Sequence, residues 1–311
     1  MKEYFKFLIS TIICTFAIMT IIVLSIIMFP RDTFHSSFQS VIQDKYRILK
    51  ETDEPKIIIV AGSSSAFGLD QDLLEEETGY KVCNLGLHIG FGSLFYSEMA
   101  KKNINAGDIV LLGYEYGWGG HDSFDHLDQS LIMSGIDDNI GMYEVIPIRR
   151  WPEFLGYLFK YAEQKNNYED AEGVYSRASF DPKTANMITE TCYLPQYLEL
   201  IVKPYDDNAD ISSESEEYLR EFREYVESCG ATIYFIAPPI CVEGITGDVK
   251  VYDELLSAEE KIIGIEYISN PSDYFFSHDL MLDSKYHCNT KGAKLRTELL
   301  IKDIKEANII D

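Results

Sequence analysis

The sequence predicts a three-layer α/β/α sandwich with a mainly parallel sheet, preceded by one transmembrane helix. Three observations carry that expectation. Residues 7–29 hold no charge and are dense in Ile, Leu, Met and Phe. Short β-branched runs, of which Ile57-Ile58-Ile59-Val60 is the clearest, read as strands buried on both faces, as in a parallel sheet. These runs alternate with helically spaced segments in the order strand, helix, strand, helix, strand, so the crossovers place helices on the sheet's faces.

The apolar run comes first. At 1.5 Å per residue it crosses a hydrocarbon core of roughly 30 Å as a helix. A cleavable signal peptide would have an apolar core of about 7–15 residues and small residues at a cut site. This run is longer and ends in Phe29-Pro30-Arg31 with no A-x-A pattern, so residues 1–30 read as an uncleaved signal anchor. Lys2, Lys6 and the terminal amine precede it, and only Arg31 follows closely, with Lys45, Arg47 and Lys50 further on. The positive-inside rule then sets the N-terminus in the cytoplasm and the rest of the chain outside.

Residues 31–55 read as a stalk, with Phe34, Phe38, Val41 and Ile42 on one face of a short amphipathic helix. The domain is expected over 56–311. Strand 57–60 runs into the small-residue turn Gly62-Ser63-Ser64-Ser65, and a helix follows through Leu73, Leu74 and Glu77, with Gly79 at its C-cap. A second short strand reads at 80–86, a helix at 94–103 and a third buried strand at 109–114. Residues about 117–204 hold Trp118, Gly119-Gly120, Trp151 and many tyrosines, and read as an inserted helical and loop region. Its aromatics suit stacking on sugar rings, although ordinary core packing explains them more simply.

Regular structure resumes at Ser213, which forms a capping-box pattern with Glu216. Leu219, Phe222 and Val226 mark that helix's apolar face, and Gly230 ends it. A fourth strand at 231–237 stops at Pro238-Pro239. A helix near 252–261, a last strand at 263–268 and a loop at 275–289 lead to a final helix capped by Asn289 or Thr290.

Composition narrows the function classes. Lys plus Arg total 27 against 51 Asp plus Glu among 311 residues, a formal charge of −24. A nucleic-acid partner needs a basic footprint, so none is expected. The six cysteines show neither C-x-x-C pairs nor zinc spacing, so no metal site and no cofactor is indicated. A disulfide such as Cys229 with Cys241 stays open.

The chemistry-bearing set is Ser64, His287 and Asp283. A strand, tight turn and helix is the geometry that presents a nucleophile at the carboxyl end of a sheet. A serine hydroxyl is a weak nucleophile near neutral pH and needs a base in hydrogen-bond reach, itself oriented by an acceptor. His287 and Asp283, just before the last helix, suit those roles.

This arrangement resembles the SGNH (GDSL-type) hydrolase superfamily, in particular its membrane-anchored cell-envelope branches, the DltD-like and polysaccharide O-acetyl-handling proteins. Gly62-Ser63-Ser64 stands where that family has Gly-Asp-Ser, which puts the nucleophile at Ser64. Asn84-Leu85-Gly86 is similar to its second block, whose glycine N–H joins the nucleophile's own N–H, here Ser64, in holding the oxyanion. Asp283 and His287 are similar to the closing block. The likeness spans roughly 56–116 and 231–300. It departs in three places: Ser63 replaces the aspartate, Gly113-Tyr114-Glu115-Tyr116 replaces Gly-x-Asn-Asp, and three residues instead of two separate Asp283 from His287. The second departure removes an oxyanion donor, typically worth about 10²–10³ in rate. Tyr114, Glu115 and Tyr116 are the expected substrate-binding residues at that strand end.

The resemblance implies an SGNH/flavodoxin-like fold and an extracytoplasmic esterase or O-acyltransferase acting on acyl esters of envelope glycans. Two rivals stand beside it. One is a catalytically weak or inactive protein that binds the glycan or assembles with a membrane-bound acyltransferase. The other is a lipase-like enzyme facing the cytosol.

Overall fold

A computed structural model of the chain describes residues 1–116, 126–137, 139–203, 211–245 and 248–310. Trp118, Gly119 and Gly120 lie outside the described residues. Strands β1 (Lys56–Ala61), β2 (Lys81–Asn84), β3 (Ile109–Gly113) and β4 (Thr232–Phe235) form one sheet in the order β2-β1-β3-β4. Every neighbouring pair is parallel. A second, two-stranded parallel sheet joins β5 (Ile240–Cys241) to β6 (Phe275–Phe276).

The period-2 alternation of the strands builds two cores. Ile58, Val60, Val110 and Leu112 enter one cluster, and Ile57, Ile59, Ile109 and Leu111 enter the other. Because both faces are covered, every residue of β1 is buried, each Ile and Val contributing about 1.5–3 kcal/mol of transfer free energy. The helices are α1 (Lys2–Met28), α2 (Val41–Glu51), α3 (Ser63–Ala66), α4 (Gln71–Thr78), α5 (Ser93–Ala100), α6 (Gln129–Ile136), α7 (Trp151–Asn166), α8 (Leu198–Ile201), α9 (Ser213–Ser228), α10 (Lys250–Ile263) and α11 (Thr290–Glu306). Helices α2, α5, α6, α7 and α9 cover the first face, and α4 and α11 the second. The molecule is the three-layer α/β/α arrangement, and α1 is long and apolar enough to cross a membrane.

Several local expectations need correction. Residues 31–55 are not a stalk. Phe34, Val41, Ile42 and Leu49 are fully buried in the main core, because the sheet's first face needs an apolar cover and α2 supplies it. The 117–204 region, expected as an inserted helical and loop region, packs where described on that same core through Ile132, Met142, Phe154 and Tyr161. The strand expected at 263–268 is a single parallel bridge, Tyr267 to Phe235, because α10 runs on through Ile263. Helix α9 is capped by Ser212, whose hydroxyl accepts from the Ser215 N–H. Of the two caps expected for α11, Asn289 takes the role, accepting from the Lys291 and Gly292 N–H groups.

One buried ion pair fixes the sheet's amino edge. Lys56 Nζ lies 2.8 Å from Asp108 Oδ2, with both side chains fully buried, and the Lys56 N–H donates to the other carboxylate oxygen at 3.1 Å.

Candidate active site

The strand register builds the site. Ala61 pairs with Gly113, so the residues two beyond each strand end, Ser63 and Glu115, come together at the carboxyl edge. Ile59 pairs with Asn84, which brings residues 84–86 beside the same turn. Asn84 then stitches the two loops. Its Oδ1 accepts from the Ser65 hydroxyl at 2.9 Å and from the Gly86 N–H at 3.1 Å, and its Nδ2 donates to Ser65 O at 3.0 Å. The buried Lys45 ammonium donates to Asn84 O at 2.7 Å. Burial lowers the Lys45 pKa to about 7. A side chain at Gly86 would strike the Ser65 hydroxyl and the Gly62 and Ala61 carbonyls, so glycine there permits the close approach. From below, fully buried Arg296 donates to Ser64 O at 2.6 Å.

The second segment is a tight loop. Leu282 N–H donates to His287 O at 2.8 Å, and Met281 bridges Cys288. Asn289 Nδ2 donates to the Asp279 and Met281 carbonyls. The wider Asp-to-His spacing is absorbed in this loop, and both side chains reach one side of it. His287 Nδ1 lies 2.9 Å from Asp283 Oδ1, and His287 Nε2 lies 2.9 Å from Ser63 Oγ. With Nδ1–H donated to Asp283, Nε2 is the nitrogen free to accept the serine proton. Phe67 packs on the imidazole, ring centroids 4.6 Å apart.

The serine that meets His287 is therefore Ser63, and the expected Ser64 does not. Ser64 Oγ is fully buried with no hydrogen-bond partner, because the first turn of α3 points successive side chains in different directions. The expected oxyanion donors are also differently engaged. Gly86 N–H is held by Asn84, and Ser64 N–H donates to Glu115 Oε1 at 3.2 Å. Ser63 Oγ is 3.4 Å from the same carboxylate oxygen. Of the three residues expected to touch substrate, Glu115 alone reaches the site. Tyr114 is buried, its hydroxyl 3.2 Å from Ser97 Oγ, and Tyr116 packs edge-on against Tyr252 inside a separate apolar cluster.

Tyr175 escaped the sequence reading. Its hydroxyl donates to Asp283 Oδ2 at 2.5 Å and lies 3.3 Å from His287 Nδ1. Burial and the Asp283 carboxylate raise the phenol's pKa, which keeps it a donor. Burial pushes the Asp283 carboxyl up, but the hydrogen bonds from His287 and Tyr175 outweigh it and hold the group below its ordinary range. Nothing marks Tyr175 among 21 tyrosines; only the fold, which bridges Ser37 to Ser176, brings it here. A second imidazole, His88, stands near: burial first, then the charge of His287, lowers its pKa. Its Nδ1 accepts from the Gly90 N–H, so when neutral it carries its proton on Nε2.

Phe67 also lines a cavity of about 320 Å³, with Asp70, Gln71, Asn186, Thr189 and Thr290 among its other walls. Among the described residues no group of His, Cys, Asp and Glu is arranged to hold a metal ion. No family model matches the chain, and no curated protein matches it.

Proposed function

We propose that this chain is a membrane-anchored, SGNH-like serine esterase or O-acyltransferase that acts outside the membrane on acyl esters of envelope glycans. One observation carries the proposal: the unbroken relay from Ser63 through His287 to Asp283, with both contacts at 2.9 Å. In the reaction Ser63 Oγ attacks the ester carbonyl and His287 Nε2 takes its proton. Asp283 stabilises the imidazolium, and Tyr175 steadies Asp283. The tetrahedral intermediate collapses to an acyl-serine as His287 returns the proton to the departing sugar oxygen. Water or an acceptor hydroxyl then attacks by the same steps in reverse.

The developing oxyanion needs donors, and the N–H of the residue after the nucleophile, here Ser64, is in the position such turns use. Glu115 occupies that donor, so its carboxylate must withdraw before an oxyanion can form there. The mixed polar and apolar cavity beside Phe67 suits a hydroxylated leaving group. Lys2, Lys6 and the terminal amine before α1 support an external domain.

The test is fluorophosphonate labelling and ester hydrolysis by the domain. Wild type should label and hydrolyse, and Ser63→Ala should do neither; equal behaviour of the two defeats the enzyme reading. The Glu115 contact favours a second reading, a catalytically weak glycan-binding partner of a membrane acyltransferase. That reading expects glycan retention to persist unchanged in Ser63→Ala.

A further inference from the structure

Helix α7 carries two apolar stripes. Phe154, Leu158 and Tyr161 are buried in the main core. Trp151, Leu155 and Phe159, spaced four apart on a neighbouring stripe, are 44%, 50% and 78% exposed, and Ile148 just before them is 83% exposed. Glu153 and Lys160, also exposed, fall on the helix's opposite side. An outward stripe of this kind is foreign to a helix that only covers a core.

Its position explains it. The end of α1 packs against α7, and Lys165 of α7 donates to the carbonyls of Ile27 and Pro30 at 2.9 and 3.0 Å. Lys165 is itself paired with buried Asp137 at 2.8 Å, so the joint between span and domain is a fixed one. Between the two helices lies an apolar crevice of about 180 Å³, walled by Val23, Leu24 and Ile27 of α1 and by Trp151, Leu155 and Leu158 of α7. A hydrocarbon core of about 30 Å takes about 20 helical residues. Counted from Phe7, the first residue past Lys6, that length reaches about Ile26. Val23 and Leu24 therefore stand at acyl-chain depth, and the α7 residues that share their crevice stand with them.

We propose that the Ile148–Trp151–Leu155–Phe159 face is seated in the headgroup–acyl boundary of the leaflet on the domain's side, and that the crevice between α1 and α7 takes a lipid acyl chain. The attraction is assigned to the apolar stripe, because the chain's formal charge of −24 opposes binding of the domain as a whole to anionic headgroups. The inference rests on α1 spanning the bilayer, as in the proposed function, and its test separates the two.

The chain has two tryptophans, so Trp118→Phe leaves Trp151 as the sole indole. The full-length variant is reconstituted into phosphatidylcholine vesicles with ordinary or shallow-brominated acyl chains. Flotation reports the anchor and Trp151 emission reports the docked face. The expected result is flotation with both lipids and at least twofold quenching by the brominated one. Adding Leu155→Glu and Phe159→Glu should remove more than half of that quenching while flotation persists. Flotation with equal emission in the two lipids overturns the docking face and leaves the anchor standing. Failure to float overturns the anchor and the docking face together. Labelling of Ser63 by a fluorophosphonate judges the esterase reading independently of either result.

Discussion

Ser63 Oγ lies 2.9 Å from His287 Nε2, across 224 positions of chain, while the hydroxyl of Ser64, one residue on, is sealed inside the protein. The two serines are thus separable by experiment. Ser63→Ala is expected to abolish fluorophosphonate labelling. Ser64→Ala removes a buried hydroxyl without a partner, so labelling should persist and stability should change by no more than about 1 kcal/mol. Labelling lost in Ser64→Ala and kept in Ser63→Ala would move the nucleophile one residue along.

Tyr175→Phe deletes a hydrogen bond to a charged group while keeping the ring that packs on Phe67. Such bonds are worth about 1.5–3 kcal/mol, so kcat/KM on a small aryl ester should fall by roughly 10–100-fold. Unchanged kinetics would show that Asp283 holds His287 without help.

Glu115→Gln tests the carboxylate seated on the Ser64 N–H. A negative group there opposes a developing oxyanion, and the amide does not. Hydrolysis is expected to rise several-fold, read as kcat at saturating ester. A fall of tenfold or more would instead make Glu115 a participant in the chemistry.

Two groups make stability rise with pH, in different windows. Asp283 titrates below its ordinary value in the folded state. Its stabilising contribution is therefore complete above about pH 4 and is lost as pH falls through the depressed value. Asp283→Asn should be less stable than wild type in urea at pH 7, with the difference shrinking towards pH 3. Lys45 acts in the same direction at higher pH: it is a cation whose pKa burial lowers to about 7. Above pH 7 the unfolded chain binds the extra proton, so stability should climb from pH 7 to about 8.5. Beyond that, the thiols of Cys83, Cys241 and Cys288, raised by burial, begin to oppose the trend. Lys45→Met should flatten the climb.

Asp108→Ala leaves the fully buried Lys56 ammonium without its partner. Breaking a buried pair from one side costs about 3–5 kcal/mol. A urea midpoint within error of wild type would mean that water reaches Lys56.

The four strands, the parallel order, the apolar N-terminal helix and the pairing of His287 with Asp283 were all legible in the sequence. Each follows from a local cause: β-branched runs, helical spacing, an uncharged stretch, or two side chains on one short loop. Which serine faces His287 was not legible, because Gly62-Ser63-Ser64-Ser65 offers three hydroxyls in a row and only the turn's dihedrals choose among them. Tyr175, the occupation of the Ser64 N–H by Glu115 and the burial of Phe34, Val41, Ile42 and Leu49 all depend on contacts between segments far apart in sequence. Local patterning sets which elements form. The packing of those elements decides which polar atoms meet, and so whether a given hydroxyl becomes a nucleophile or a buried filler.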